Sequence, residues 1–238
     1  MNYKINIKSI IIMFIVVGFF YVLKLQFPIY KVASNSMNPN FKIGAYLIAN
    51  GLSNTEELNR NDVCIFNHQN KTYLSRIVGV SGDIIEIKEG ILYVNKKKES
   101  NVITLSEYKL IVKKNINLSQ LKLLKKLTQL NPFGEYKGVL SLKEIEKLEQ
   151  LDFVKSIKKI VLPKGYQYKR SDVLMYSNIK WSRDNFGPIK IPVKGDKIND
   201  VLISETCYFV LGDNRVQSLD SRHFGFVLSK DIVGKVIH

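Results

Sequence analysis

The sequence predicts a mainly β protein with antiparallel strands, one N-terminal transmembrane helix and an insertion of mixed α/β character. Three observations carry that prediction. β-branched and aromatic residues recur with period two through most of the chain, the mark of half-buried strands. One uninterrupted apolar run, Ile10–Leu23, stands near the N-terminus with lysines on both sides. Leucines at helical spacing are confined to about residues 100–165. With 238 residues, 45 % of them hydrophobic, the chain can build one substantial core plus an insertion, and it is neither disordered nor fibrous.

The elements follow in order. Residues 1–6 form a short tail. The run IIIMFIVVGFFYVL (10–23) is shorter than the ~20 residues a bilayer asks for. Lys4, Lys8 and Lys24 can snorkel, and Leu25, Phe27 and Ile29 extend the apolar character, so one membrane helix over residues 7–27 is expected. A basic start, an apolar core and the small-residue site Val32-Ala33-Ser34 also fit a cleavable signal peptide, but Lys24 and the extra length favour an uncleaved anchor. Strands are expected at 45–50 (AYLIAN), 62–67 (DVCIFN), 72–80 (TYLSRIVGV), 83–95, 207–212 (CYFVLG) and 231–238 (DIVGKVIH). Glu89-Gly90 marks a hairpin turn between Ile84–Ile87 and Ile91–Val94. In the middle of the chain, Leu118, Leu121, Leu124 and Leu127 recur at helical spacing opposite Lys122, Lys125 and Lys126. Ser141 with Glu144 reads as a capping box opening a second helix that ends near Leu151. The β-rich domain is therefore split, 28–99 and 166–238, around an insertion at 100–165 with amphipathic helices.

Composition narrows the function. The net charge of +15 comes from 36 scattered Lys and Arg, with no basic motif interleaved with aromatics; this argues against nucleic acid and for a basic face near anionic lipid. Cys64 and Cys207 each lie in an apolar run, the setting of a buried small hydrophobe, and whether they pair is left open. His68, His223 and His238 have no triad spacing, and no G-x-S-x-G elbow occurs, so a Ser-His-Asp hydrolase is not expected. No His/Cys/Asp cluster has ligand spacing, so neither metal nor cofactor is expected.

Four patches carry chemistry: SNSMNPNFKIGAYLIAN (34–50), RNDVCIFNH (60–68), YLSRIVGVSGDIIEI (73–87) and LGDNRVQSLDSRHFGFV (211–227). Singly, Ser36 reads as a turn serine before Pro39, and Ser34 and Ser218 as local hydrogen-bonders. In this order, the patches resemble the conserved boxes of the type I signal peptidases, membrane-anchored serine proteases that use a Ser/Lys dyad. WSRDNFGPIKIPVKGD (181–196) resembles the Gly-Pro-rich strand of that family's larger bacterial members. The resemblance implies an antiparallel β catalytic domain tethered by one helix to the cytoplasmic membrane, with residues 1–6 cytoplasmic and the domain on the extracytoplasmic side. It implies no cofactor, and as partners signal peptides of exported preproteins, cut after small residues, with membrane lipid beneath. Oligomeric state is not legible.

Residue by residue, Ser36 matches the nucleophile, and Ser34 with the Ser36 N–H the oxyanion-stabilising pair. Ser218 matches the hydroxyl that orients the lysine base, and Met37 is expected to face the membrane or line the site. Arg76, Asp213, Asp220 and Arg222 match a supporting ion-pair cluster. One position departs: the lysine that should precede Arg76 is Ser75. A hydroxyl is no proton acceptor of useful strength at neutral pH. Lys71 lies four residues along the strand, about 13 Å away, while His68 is further still along the chain and Lys88 lies beyond the turn. The expected function is thus signal-peptide cleavage with an altered base, or else a catalytically impaired homologue acting as a membrane-anchored binding or assembly protein.

Overall fold

The computed structural model of the chain describes residues 7–51, 58–99, 102–113, 117, 124, 127–165, 181–198 and 201–237. Its architecture is mainly β, with antiparallel sheets and few helices. Helix α1 (Ile7–Gln26) has 20 residues, and its large apolar side chains from Ile11 to Leu25 are exposed. No helix among the described residues is long and apolar enough to cross a membrane. The physical reason in α1 is that Lys8 and Lys24 stand within its ends, leaving only the run Ile10–Leu23 unbroken. The helix end is tied to the domain, for Gly51 N donates to the Gln26 carbonyl oxygen at 2.8 Å.

The first part of the chain supplies β1 (Ile29–Lys31), β2 (Tyr46–Asn50), β3 (Val63–His68), β4 (Lys71–Val80), β5 (Ile84–Lys88), β6 (Ile91–Val94) and β7 (Lys97–Lys98). The middle supplies β8 (Leu105–Val112), β9 (Thr128–Asn131), β10 (Glu135–Ser141), α2 (Leu142–Glu149) and β11 (Val154–Lys159). The last part supplies β12 (Phe186–Lys190), β13 (Lys197–Ile198), β14 (Val201–Leu202), β15 (Cys207–Leu211), α3 (Ser221–Phe224), β16 (Val227–Leu228) and β17 (Ile232–Ile237).

A seven-stranded sheet in the order β1-β2-β17-β3-β4-β15-β16 forms the body, every neighbouring pair antiparallel. Its central strands are buried on both faces because alternate side chains feed different cores. On β3, Val63 and Ile65 pack with Met37, Leu47 and Ala49, whereas Cys64 and Phe66 pack with Ile77, Tyr208 and Val210. On β15, Cys207, Phe209 and Leu211 enter a third core with Ile85, Phe186 and Ile191. Cys64 and Cys207 are both free and lie in different cores, and burial pushes their thiols up to about 12 and about 11. They behave as buried hydrophobes and not as reactive thiols.

The β5–β6 hairpin turns at Glu89-Gly90 with φ of 50° and 70°, the two positive values a tight two-residue turn requires. The middle of the chain departs from expectation. Its described part is a four-stranded sheet, β11-β8-β10-β9, with one helix. That helix, α2, opens on the expected capping box of Ser141 and Glu144. Leu118 and Leu121 lie outside the described residues, with Lys122, Lys125 and Lys126, while Leu124 sits in a turn and plugs the core of Leu110, Val112, Tyr136 and Phe153. Leu124 and Leu127 fill the cores beside the insertion sheet, and the period its described strands carry is the alternation Tyr108, Leu110, Val112 along β8.

Candidate active site

Ser36 stands in a single 3-10 turn, Asn35–Met37, between β1 and β2. Ser34 caps that turn with an extended backbone, and its Oγ accepts from the Ser36 N–H at 3.4 Å. The two hydroxyls lie 3.0 Å apart and exposed. Met37 anchors the turn: it is fully buried in the core of Val63, Ile65 and Val236. It therefore faces the protein interior and not the membrane, because its chain neighbours must be held still while both serines stay at the surface.

The patch after β15 closes on this turn from the other side. Asn214 N donates to the Ser36 carbonyl oxygen at 2.9 Å. Gly212 lies against both serine segments; a Cβ there would overlap the Ser218 hydroxyl and stand 2.6 Å from the Ser36 carbonyl oxygen. Ser218 Oγ is buried and has no hydrogen-bond partner among the described residues. Ser36 and Ser218, 182 residues apart in number, thus meet across one glycine.

Two buried ion pairs hold this patch. Arg76 grips Asp213 through two hydrogen bonds of 2.9 and 2.7 Å and donates to the Asn61 carbonyl oxygen. Arg222 grips Asp220 at 2.9 and 2.7 Å, and the same carboxylate accepts from the Gly212 N–H at 3.1 Å. Burial pushes the Asp220 carboxyl up, but the Arg222 guanidinium outweighs it and holds the group far below the usual carboxylate range. Burial and neighbouring Arg222 bring Arg215 down to about 10, and its Nε donates to the Gly212 carbonyl oxygen at 3.1 Å.

Ser75 is 1 % exposed on β4, opposite Cys64 of β3. Its neighbour Leu74 packs into the core that holds Met37, so β4 runs beside the Ser36 turn. The nearby bases have other engagements. Lys71 is exposed at the far end of β4, Lys88 pairs with Glu86 at 2.9 Å, and His68 stacks on Phe224 at 4.6 Å. His238 lies outside the described residues. Three contributors escaped the sequence reading: Gly212 as the contact point, Asn214 as the donor to Ser36, and Asn40, whose amide bridges Asp213 and the Ile103 carbonyl oxygen at 2.8 and 2.9 Å. Only Asn40, four residues beyond Ser36 in a turn-forming patch, left a local signal.

On this mainly β scaffold a capped serine at the surface stands beside a second hydroxyl, backed by buried ion pairs, and the comparisons with known proteins give the class: a serine endopeptidase family. The family model "Signal peptidase, peptidase S26" matches residues 4–238, and the chain belongs to that family. Signal peptidase I of Bacillus caldolyticus is 31 % identical over 210 residues, 87 % of this chain and 75 % of that protein. Signal peptidase I of Buchnera aphidicola is 28 % identical over 226 residues; the chain spans 66 % of that relative's length. A solved signal peptidase I from Enterococcus faecalis aligns with 76 % of this chain at 21 % identity and a TM-score of 0.30, too loose to carry detail across.

Proposed function

We propose that the chain removes N-terminal signal peptides from exported preproteins, with Ser36 as nucleophile. The observation that supports this most is the Ser34–Ser36 hydroxyl pair, with the Ser36 backbone and Ser218 both packed on Gly212, in a chain whose relatives are signal peptidases. Ser36 Oγ attacks the scissile carbonyl carbon, and the resulting oxyanion accepts from the Ser36 N–H and the Ser34 hydroxyl. Those two groups lie side by side here, the Ser36 N–H donating to Ser34 Oγ at 3.4 Å, a long bond that the oxyanion would replace. β1, an edge strand of the large sheet, ends three residues before Ser34 and offers its free edge to an extended segment with small side chains.

With Ser75 at the base position, the Ser36 proton passes along water at the Ser75 hydroxyl to the departing amine as the C–N bond breaks, and a second water hydrolyses the ester on Ser36. Ser218 Oγ, buried and without a partner among the described residues, is the hydroxyl that would steady an ammonium there. Arg76, Asp213, Asp220 and Arg222 fix the backbone around both serines. α1 is the proposed single-pass anchor: its unbroken apolar run Ile10–Leu23 is short for a bilayer, and the snorkelling of Lys8 and Lys24 would let its 20 residues, about 30 Å at about 1.5 Å rise each, reach across. The β-rich halves 28–99 and 166–238, with the insertion 100–165, then lie on the extracytoplasmic face.

The test is cleavage of a signal-peptide-bearing preprotein by the detergent-solubilised chain. Turnover that vanishes in Ser36→Ala is expected, and Ser34→Ala should lower kcat about 10²-fold. Ser75 in the base position favours a second reading, a homologue that binds such segments without cutting them. Saturable peptide binding without wild-type cleavage would establish that reading and overturn the first.

A further inference from the structure

A cleft of 310 Å³ opens where the large sheet, the β5–β7 sheet and the insertion sheet meet, and no residue of the Ser34–Ser36 turn lines it. Five cations line it, Arg60, Arg76, Lys98, Lys159 and Arg215, against one acid, Glu99. They come from separate parts of the chain: the start of the large sheet, β4, β7, β11 and the segment after β15. Two of these charges are answered, Arg60 by Asp83 and Arg76 by Asp213. Of the other three, Lys98 is exposed on β7, while Lys159 and Arg215 end on neutral acceptors: Lys159 Nζ donates to the Glu89 carbonyl oxygen at 2.7 Å and Arg215 Nε to that of Gly212 at 3.1 Å. Of the acids that act on them, Asp184 is paired with Arg183, Asp213 with Arg76 and Asp220 with Arg222, and Glu89 adds a lesser pull on Lys159.

We propose that this cleft binds a phosphate-bearing anion, bridging the insertion to the large sheet. Like charges gathered in a partly buried space repel, and an anion with two or more charges converts that repulsion into attraction. The strain is legible in the side chains themselves, since burial and cationic neighbours push both Arg215 and Lys159 down from their ordinary values. A guanidinium beside flexible ammonium groups suits phosphate oxygens, the one by paired N–H donors, the others as point charges. The volume lies at the small end of ligand sites, about 300–1,000 Å³, which fits a diphosphate or a phospholipid headgroup and no macromolecule. This inference stands apart from the peptidase reading and does not depend on it.

Isothermal titration of the full chain in detergent with pyrophosphate, at fixed ionic strength, tests it. A saturable one-to-one event is expected, weakened at least tenfold in Lys98→Gln/Lys159→Gln and strengthened several-fold in Glu99→Gln, which removes the one opposing charge. The Glu99 variant keeps the test decisive if the double variant fails to fold. Phosphatidylglycerol vesicles that displace pyrophosphate from the wild type assign the headgroup as the source; displacement by free phosphate compounds alone assigns those. No saturable event, or affinity unchanged in both variants, overturns the proposal.

Discussion

At the residue scale, the account rests on buried charge and on one glycine. Burial would raise the Asp220 carboxyl, yet Arg222 holds it well below the usual range. A carboxylate so depressed contributes stability that is in place above its unfolded value, near about 4, and is lost progressively as the pH falls from there toward the folded-state value. Asp220→Asn leaves Arg222 buried without its countercharge and is expected to cost about 3–5 kcal/mol at neutral pH, with a flatter acid limb, as read by urea unfolding between pH 3 and pH 7. Gly212→Ala forces a methyl against the Ser36 carbonyl oxygen and the Ser218 side chain. It should destabilise by about 1–3 kcal/mol and lower cleavage far more than that loss explains, because the backbone of Ser36 must move. The patches that hold Ser34, Ser36 and Ser218 were legible as patches, while the contact that joins them through Gly212 and Asn214 was not, since it is a backbone contact between segments far apart in the chain.

At the element scale, period two was the dependable signal. β2, β3, β4, β15 and β17 all lie within a residue or two of where alternation placed them, and β3 and β15 split their side chains between two cores as a strand must. The capping box of α2 was equally legible, because its chemistry is complete within four residues. Ser141→Ala should cost about 1 kcal/mol in thermal or urea unfolding and leave cleavage unchanged, since α2 packs on the insertion sheet through Ile145 and Leu148. The strands β8 to β11 were not placed one by one, because the helical spacing of Leu118, Leu121, Leu124 and Leu127 stood out over the shorter alternation of Tyr108, Leu110 and Val112. Pattern alone does not separate a leucine that faces a neighbouring helix turn from one that plugs a sheet core.

At the scale of the whole molecule, topology brings the site together. β17, the last strand, inserts between β2 and β3, and β15 lies beside β4, so the patches at 34–36, 75–76 and 212–222 converge only when the chain has closed on itself. That order is a long-range property, and no window of sequence contains it. Removal of residues 1–27 should release the chain from lipid vesicles into the supernatant on flotation if α1 is the anchor, and leave it bound if the basic surface alone suffices. In the proposed mechanism the site assembles around Ser36 and differs from its family at the base position, Ser75. The most direct measurement is the cleavage rate of a preprotein by Ser75→Lys beside wild type and Ser75→Lys/Ser36→Ala. The account predicts a rate at least tenfold above wild type in the single variant, rising with pH as the buried lysine loses its proton, and none in the double variant. A single variant no faster than wild type, or a double variant that still cuts, would contradict it.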